Sequence, residues 1–419
     1  MTTDTFAGLS GAATSSAAGP LAGLVVVDLS RILAGPVATQ MLGDLGATIL
    51  KVEQPGRGDD TRSWGPPYLK DAHGRDTSEA GYYLSINRNK HSIAIDIAKP
   101  EGQALVRRLL AKADVLIENF KAGGLAGYGL DYPSVAPAFP RLVYCSITGF
   151  GQTGPYAPRA GYDYLVQGMG GVMSVTGTPD GEPMKVGIAV SDIMTGMHAC
   201  IAILAALRHR DATGVGQHID LALLDSTVFF LANQGLNYLL SGTPPRRLGN
   251  AHPNIVPYQV FAAADGHFIL AVGNDEQYRR FCGLLDRPDL AEPPYATNRE
   301  RVQRRAELVP LLAPLIQQHT KAFWLDACAR EGIPASPIND IAEVFADPQV
   351  QARGMQVEMQ HPASPDPLPL IGNPIKLSAT PPSYRLAPPM LGQHTDSVLL
   401  ALGLSEPELA DLRAARIIA

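Results

Sequence analysis

Short apolar, β-branched runs alternate with helical segments along the first half of this chain. Residues 24–29, 48–53, 92–97, 114–120, 142–148 and 217–223 form six such runs, which predict strands, and residues 35–46 and 100–113 predict helices between them. Parallel strands need crossover connections, which helices usually supply. The alternation therefore predicts a parallel sheet covered by helices, which is an α/β fold of Rossmann-like type.

The second half of the chain has a different pattern. Its 419 residues exceed the ~250–300 that one core usually supports, so a second domain is expected. Residues 241–257 are rich in Pro, Gly and Asn and predict a linker. Residues 258–263 and 267–272 flank Ala-Asp-Gly, which predicts a hairpin, and helices are expected from about residues 275, 298 and 321. A small α+β domain after the linker is the expected arrangement.

Charge and cysteine usage narrow the partners and the compartment. The formal net charge of −6 lacks the positive field that nucleic-acid binding usually needs. The four cysteines are scattered, which disfavours disulfides and metal sites and predicts a reducing, cytoplasmic location. The most apolar helical stretch, residues 199–207, is too short to span a bilayer, so no membrane association is expected.

One glycine motif has the letters of a dinucleotide-binding fingerprint. Gly149, Gly151 and Gly154 follow a predicted strand, and a phosphate-binding loop of this kind must lead directly into a helix. Pro155 and Pro158 follow instead, and they prevent a long helix from starting there. The motif therefore predicts a flexible loop, and an NAD-dependent oxidoreductase is rejected.

Two positions remain open between a chemical and a structural role. The loop from Arg31 to Pro36 follows the first strand, where α/β proteins bind anions, but it is equally an ordinary strand-to-helix turn. Asp192 precedes the longest apolar helix, either as its N-cap or as an ionised nucleophile whose pKa the helix N-terminus lowers. His198 lies within that helix and is expected to be a core residue whose ring nitrogens are hydrogen-bonded.

A series of short motifs, all in one order, extends from residue 21 to the C-terminus. With these motifs the chain resembles the class III (CaiB/BaiF) CoA-transferases, which include formyl-CoA:oxalate CoA-transferase and α-methylacyl-CoA racemase. The motifs are Asp28, Leu33-Ala-Gly-Pro36, Lys51-Val-Glu53, Asn89-Lys90, Asp114-Val-Leu-Ile-Glu-Asn-Phe120, Ser146-Ile-Thr-Gly-Phe-Gly151, Asp180-Gly181, Ser191-Asp192, Asp225 and Leu391-Gly-Gln-His-Thr395.

The resemblance implies a reaction and an assembly. An aspartate, matched here by Asp192, attacks the donor thioester to give an acyl-aspartyl anhydride, and an aspartyl-CoA thioester then passes CoA to a free carboxylic acid. The family uses acyl-CoA as a substrate, with no metal and no tightly bound cofactor. Its members are interlocked homodimers, which implies a tail at residues 1–20, a large Rossmann-like domain at 21–240, a linker and small domain at 241–320, and a return segment at 321–419 that completes the large domain.

The matched positions also imply contacts with CoA. Gln54, Gly127 and Ala160 stand where some relatives carry phosphate-binding cations, so Lys51, Arg57, Lys121 or Arg159 must supply that charge. The residues matched to the CoA site are Ile32, Leu33, Ala34, Ile95, Asn119, Phe120 and Lys121.

Departures from the family pattern indicate the reaction type. Tyr162 replaces the histidine that racemases use as a base, which makes racemisation or epimerisation the weaker alternative. Residues 249–258 resemble those of succinyl-CoA:glutarate and related dicarboxylate CoA-transferases, so succinyl-CoA is the expected donor and a dicarboxylic acid the expected acceptor. A non-catalytic CoA-binding protein is the remaining alternative. The candidate substrate contacts are Tyr162, His252 and Arg88, with Arg62 or Arg246 as other cations for a second carboxylate.

Overall fold

The computed structural model describes residues 5–6 and 19–419, so the tail expected at residues 1–20 lies almost entirely outside the described part. Its strands are β1 (Val25–Asp28), β2 (Thr48–Glu53), β3 (Tyr68–Lys70), β4 (Asp76–Ala80), β5 (Lys90–Ala94), β6 (Val115–Glu118), β7 (Val143–Thr148), β8 (His218–Ala222), β9 (Tyr258–Ala263), β10 (Gly266–Ala271), β11 (Ala335–Ser336), β12 (Gln356–Met359) and β13 (Leu368–Ile371).

Helices account for most of the remaining regular structure. They are α1 (Ala34–Asp44), α2 (Gly81–Ser85), α3 (Pro100–Leu110), α4 (Tyr132–Val135), α5 (Asp163–Met169), α6 (Val172–Val175), α7 (Val190–Thr213), α8 (Leu223–Phe230), α9 (Ala232–Ser241), α10 (Asp275–Leu284), α11 (Asn298–Gln303), α12 (Arg305–Ile316), α13 (Lys321–Arg330), α14 (Ile341–Ala346), α15 (Pro348–Ala352), α16 (Thr395–Ala401) and α17 (Glu406–Ala414).

The predicted parallel sheet is confirmed. Its strand order is β5-β2-β1-β6-β7-β8, and every neighbouring pair is parallel. Counted within the sheet, this is the order 3-2-1-4-5-6 of a Rossmann fold, which reverses direction between β1 and β6. The third predicted strand begins earlier than expected, at Lys90, and the β3–β4 hairpin was not predicted.

The sheet is buried on both faces, which explains its continuous apolar strands. Successive side chains of a strand point to opposite faces. Val26 accordingly packs in the core formed with α1 and α7, whereas Val27 packs in the core formed with α3 and α16. Helices α1, α3 and α7 cross between strands of the sheet, as the alternation in the sequence predicts, whereas α16 comes from the C-terminal segment.

Helix α7 is longer than the sequence indicated. It has 24 residues, and by length and composition it is the one described helix that qualifies as a membrane span. The apolar stretch at residues 199–207 lies in the middle of this helix, which continues beyond it at both ends. Half of its apolar window is buried within the protein, including Ala199 and Ile203 against the sheet.

The chain forms two compact units. The first comprises Met1–Gly170, Gly187–Phe230 and Gln349–Ala419, and the second Gly171–Val186 and Leu231–Pro348. In the second unit β9 and β10 form the predicted hairpin, with β11 antiparallel to β10. Helix α13 belongs to this unit and not to the return segment, because Trp324 is buried against Phe268 and Phe281.

Candidate active site

A cleft of about 370 Å³ lies in the first unit beyond the carboxyl ends of β1, β6 and β7. This is the point where the strand order reverses, and open α/β sheets bind ligands there. The lining residues are Arg31, Ile32, Leu33, Ala34, Asn119, Phe120, Lys121, Gly124, Ile147, Thr148, Gly149, Arg159, Ala160, Gly161, Tyr162, Asp192 and Leu223.

The loop after β1 is held in an unusual conformation. Ile32 has a φ of 72°, a left-handed value that strains a β-branched residue. Asn119 fixes the preceding residue from both sides: its Oδ1 accepts from the Arg31 amide at 2.8 Å and its Nδ2 donates to the Arg31 carbonyl at 2.7 Å. The Ile32 amide donates to Asp59 Oδ1 at 3.2 Å. The side-chain amide of Asn119 is thus engaged by the loop backbone.

Beneath this loop lies a buried ion pair. Lys51 Nζ is 3.0 Å from Asp59 Oδ2 and donates to the Ser30 carbonyl at 2.9 Å, with both charged side chains fully buried. Burial alone would raise the pKa of Asp59, but Lys51 and hydrogen bonds from Thr61 outweigh it and lower the pKa to about 2. Lys51 therefore supports the loop and is not available to a phosphate.

Asp192 is held in the cleft by the packing of two helices. It is the third residue of α7, and Gly196 follows one turn later, where α7 crosses α1. A Cβ atom at Gly196 would lie 2.6 Å from the Ala34 carbonyl oxygen, so only glycine permits this approach. The close crossing places the Asp192 carboxylate beside the loop of Ile32 and Leu33.

The N-terminus of α7 is capped by a residue distant in the sequence. Ala189 occupies the N-cap position and offers no capping side chain. Asp163, the first residue of α5, instead accepts from the Ser191 amide at 2.8 Å and, at 3.4 Å, from the Asp192 amide. The N-cap interpretation of Asp192 is therefore wrong, and its carboxylate accepts no hydrogen bond from the described residues.

The expected low pKa of Asp192 is also wrong. Burial, and secondly the nearby Asp163 carboxylate, raise the pKa of Asp192 to about 7. Burial also raises the pKa of Tyr82 to about 12, with Asp192 and Asp163 contributing. The first amides of α7 donate to Asp163 and not to the Asp192 carboxylate.

The glycine motif after β7 serves backbone packing. A Cβ on Gly149 would lie 2.5 Å from the Gly161 Cα, and one on Gly161 would lie 2.4 Å from the Gly149 Cα. The next helix after β7 begins only at Asp163, which confirms that no helix follows Gly154. These glycines bring two cleft loops together and do not bind a dinucleotide in the manner of the fingerprint.

Most of the predicted site residues meet at this cleft. Ile95 lines a second cavity of about 210 Å³, which shares Arg31 and Phe120 with the first. The predicted residues that line the first are Ile32, Leu33, Ala34, Asn119, Phe120, Lys121, Tyr162 and Asp192.

Four predicted substrate cations or contacts do not line this cleft. The prediction that Arg88 contacts the substrate is wrong. Its guanidinium is buried and donates to both oxygens of Asp44, at 2.9 and 2.7 Å, and it does not line the cleft. Arg62 is likewise buried, against Glu53. His252 belongs to the second unit, where its Nδ1 accepts from the Asn254 amide at 3.1 Å. Arg246 also lies in that unit and is exposed.

The exposed cations of the cleft differ in their pairing. Arg31, which lines the cleft, and Arg57, which does not, both pair with Asp60 at 2.7 Å. Lys121 and Arg159 line the cleft and form no ion pair with any described residue. Arg31 and Asp163 were missed as site residues, although Arg31 lies in a loop that the sequence had singled out. Nothing local in the sequence indicates that Asp163 approaches α7.

The described residues contain no group of three or more His, Cys, Asp or Glu side chains that could hold a metal ion. All four cysteines are free and buried. The polar chemistry of the cleft is therefore that of one unpartnered carboxylate, two unpaired cations and the amides at the start of α1, whose N-cap Leu33 supplies no capping side chain.

Known proteins are similar to this chain in sequence and in fold. A succinate–glutarate CoA-transferase from Agrobacterium fabrum is 54% identical over 384 residues, which are 91% of this chain and 96% of that protein. The human succinyl-CoA:glutarate CoA-transferase is 42% identical over 381 residues, 91% of this chain and 85% of that protein. A crystal structure of a CaiB/BaiF family protein from Brucella suis, 51% identical, superposes with a TM-score of 0.80 and covers 92% of this chain and 99% of that chain.

These matches confirm the resemblance that the motifs indicated. A model of the family described as CoA-transferase family III matches residues 21–395. The protein therefore belongs to CoA-transferase family III and is an enzyme that transfers CoA.

Proposed function

We propose that this enzyme moves CoA from succinyl-CoA to a dicarboxylic acid such as glutarate, with Asp192 as the nucleophile. The observation that carries the proposal is the Asp192 carboxylate, which lines the cleft without a hydrogen-bond partner among the described residues. The 54% identity to a succinate–glutarate CoA-transferase supports the choice of donor and acceptor.

The first half of the proposed reaction releases CoA and captures it again. The Asp192 carboxylate attacks the thioester carbon, the C–S bond breaks, and its electron pair leaves with the CoA thiolate. The thiolate then attacks the aspartyl carbonyl of the anhydride, which frees succinate and leaves an aspartyl-CoA thioester. The pKa of about 7 leaves about half of Asp192 ionised at neutral pH, which suffices for attack.

The second half runs the same steps in reverse with the acceptor acid. The overall exchange converts one thioester and one carboxylate into another thioester and another carboxylate with no change of oxidation state, so it requires no redox cofactor and no metal ion. Water must be excluded from both covalent intermediates, and burial of Asp192 within the cleft supports this. The amides at the start of α1 are suited to stabilise the tetrahedral oxyanions, since the helix leaves them without acceptors.

The cleft residues suggest how CoA is held. Ile32, Leu33, Ala34, Ile95 and Phe120 supply apolar contacts to the pantetheine arm and adenine. Lys121 and Arg159 supply the charge for the phosphates, because they are the cleft cations without a carboxylate partner among the described residues. Asn119 acts through the loop backbone that it fixes.

We also propose that two copies of the chain form the interlocked homodimer of this family. Helix α7 exposes Met197, Ile201 and Leu204 along one face, and Phe229 of α8 is 77% exposed. Apolar surface of this kind marks a protein interface or a membrane contact. Light scattering should give twice the chain mass, and a monomer mass would contradict the dimer. The free cysteines support a cytoplasmic location, which cell fractionation tests.

The function is tested with purified protein, succinyl-CoA and a panel of free acids that includes glutarate, oxalate, mesaconate and citramalate. Wild type should form a new acyl-CoA, detected by chromatography and mass, and Asp192→Asn should form none. Asp211→Asn, at the other end of the same helix, is the matched control and should retain activity.

Other outcomes would favour the alternatives. Full activity of Asp192→Asn would contradict the nucleophile. Deuterium exchange at the α-carbon of an acyl-CoA, without transfer, would indicate a racemase with Tyr162 near its base position. Stabilisation by CoA without turnover of any acyl-CoA would indicate a binding protein.

A further inference from the structure

The Asp163 carboxylate lies close to Asp192, and its role as a helix cap does not account for this proximity. Its Oδ1 accepts from the first amides of α7, and its Oδ2 accepts from Gln167 Nε2 at 2.7 Å. Accepting on both oxygens is the pattern of an ionised carboxylate, which can donate nothing. A fixed negative charge therefore lies at the start of the helix that carries Asp192.

The charge of Asp163 acts on Asp192 in a cleft where few other groups can offset it. The side chains that α1 and α8 contribute to the lining, Ala34 and Leu223, are uncharged. Tyr82 is neutral, since its pKa is raised to about 12. The other titratable groups that line the same cleft are Arg31, Lys121, Arg159 and Tyr162.

This arrangement has a consequence for each covalent step, given the reaction proposed above. When Asp192 attacks the thioester, its negative charge leaves with the electron pair on the CoA sulfur, and the acylated side chain is neutral. Repulsion between two neighbouring carboxylates is relieved at that moment. The side chain stays neutral in the aspartyl-CoA thioester and in the second anhydride, so the repulsion returns only when the final thiolate attack frees the Asp192 carboxylate.

We infer that Asp163 is a positioning residue for the transfer reaction, which both fixes the first turn of α7 and drives negative charge from Asp192 onto the leaving sulfur. The inference rests on the proposed function, because it requires Asp192 to be the nucleophile. It assigns to the third residue of Gly161-Tyr162-Asp163 an electrostatic role that a helix cap alone does not have.

The test is the pH dependence of kcat/KM for wild type and Asp163→Asn, with succinyl-CoA and the acid that serves best. Asparagine also caps helix N-termini, and Gln167 can rotate its amide to bond it, so chiefly the charge is removed. Removing it should lower the acidic midpoint by about one pH unit. The activity deficit should be largest above pH 7 and shrink as the pH falls.

The ionisations of the substrates affect both enzymes equally, so the difference between the two pH profiles comes from ionisable groups of the protein. Asp220→Asn is the matched control, since Asp220 also accepts from a backbone amide, that of Gln152 at 3.0 Å, but does not contribute to the shift at Asp192. Its midpoint should equal that of wild type. If Asp163→Asn is unstable, Asp163→Ser gives the same comparison, because serine is an uncharged residue that also caps helices.

The outcomes separate this inference from the proposed function. An unchanged midpoint, or a deficit of the same factor at every pH, would show a purely structural cap and overturn the inference while Asp192→Asn remained inactive. Full activity of Asp192→Asn would overturn both. A lowered midpoint in the Asp163 variants alone would establish the electrostatic role.

Discussion

The contact between α7 and α1 should be sensitive to a single methyl group. In Gly196→Ala the new Cβ would lie 2.6 Å from the Ala34 carbonyl oxygen and 3.0 Å from Val37 Cγ1. Ordinary contacts are ~3.5 Å, so the helices must separate by about 1 Å. Alanine gains about 1 kcal/mol in helix propensity, but overpacking costs about 1–3 kcal/mol, so stability should fall by roughly 0–2 kcal/mol.

Activity should fall further than stability. Separation of the helices moves Asp192 away from the loop of Ile32, and a misplacement of this size costs up to about 100-fold in rate. Urea unfolding and kcat/KM measure the two effects. The matched control is Gly283→Ala in helix α10, where a Cβ meets nothing within 4 Å. That variant should keep its activity and gain about 0.5–1 kcal/mol. If Gly196→Ala behaved like the control, the close crossing would not position the site.

Three further changes test the supporting residues. Arg88→Ala leaves the buried Asp44 carboxylate unpaired and should lower the free energy of unfolding by about 3–5 kcal/mol; a folded variant with only a raised KM for the acid would contradict this. Asn119→Leu releases the Arg31 backbone and should raise KM for acyl-CoA about tenfold, while the free energy of unfolding changes by less than about 1 kcal/mol. An unchanged KM would show that the loop keeps its conformation without Asn119. Asp59, whose pKa is lowered to about 2, stabilises the fold above about pH 4, and this stability is lost as the pH falls toward 2. The urea midpoint of Asp59→Asn should therefore vary less over that pH range than the midpoint of wild type. Equal variation of the two midpoints would refute the role of the ion pair.

The sheet could be predicted because each strand has a local sequence pattern, and the position of Asp192 could be predicted because the family motifs occur in a fixed order along the chain. Each β-branched run is a strand in the structure, and the Rossmann order follows from helices that separate parallel strands. The motif of Ser191 and Asp192 was recognised from its place in a series of motifs, and the structure puts it at the expected edge of the sheet.

The electrostatics of the site could not be predicted, because they depend on distant partners. Arg88 lies in a turn and has the pattern of a free loop cation, but both carboxylate oxygens of Asp44, on helix α1, accept from its Nε and Nη2. Lys51 lies on a strand that is buried on both faces, where only an ion pair accommodates it. The raised pKa of Asp192 comes first from burial and then from Asp163, which follows directly after the close contact of Gly149 with Gly161.

The oxygen atoms of the acceptor acid test the central claim most directly. If Asp192 is the nucleophile, each turnover passes one acceptor carboxylate oxygen to its side chain, because the final thiolate attack leaves that oxygen on the aspartate. Wild type incubated with succinyl-CoA and an 18O-carboxylate acceptor should therefore yield a peptide containing Asp192 that carries 18O, as mass spectrometry of a digest would show. Turnover that leaves this peptide unlabelled, or that labels another carboxylate, would contradict the aspartyl mechanism.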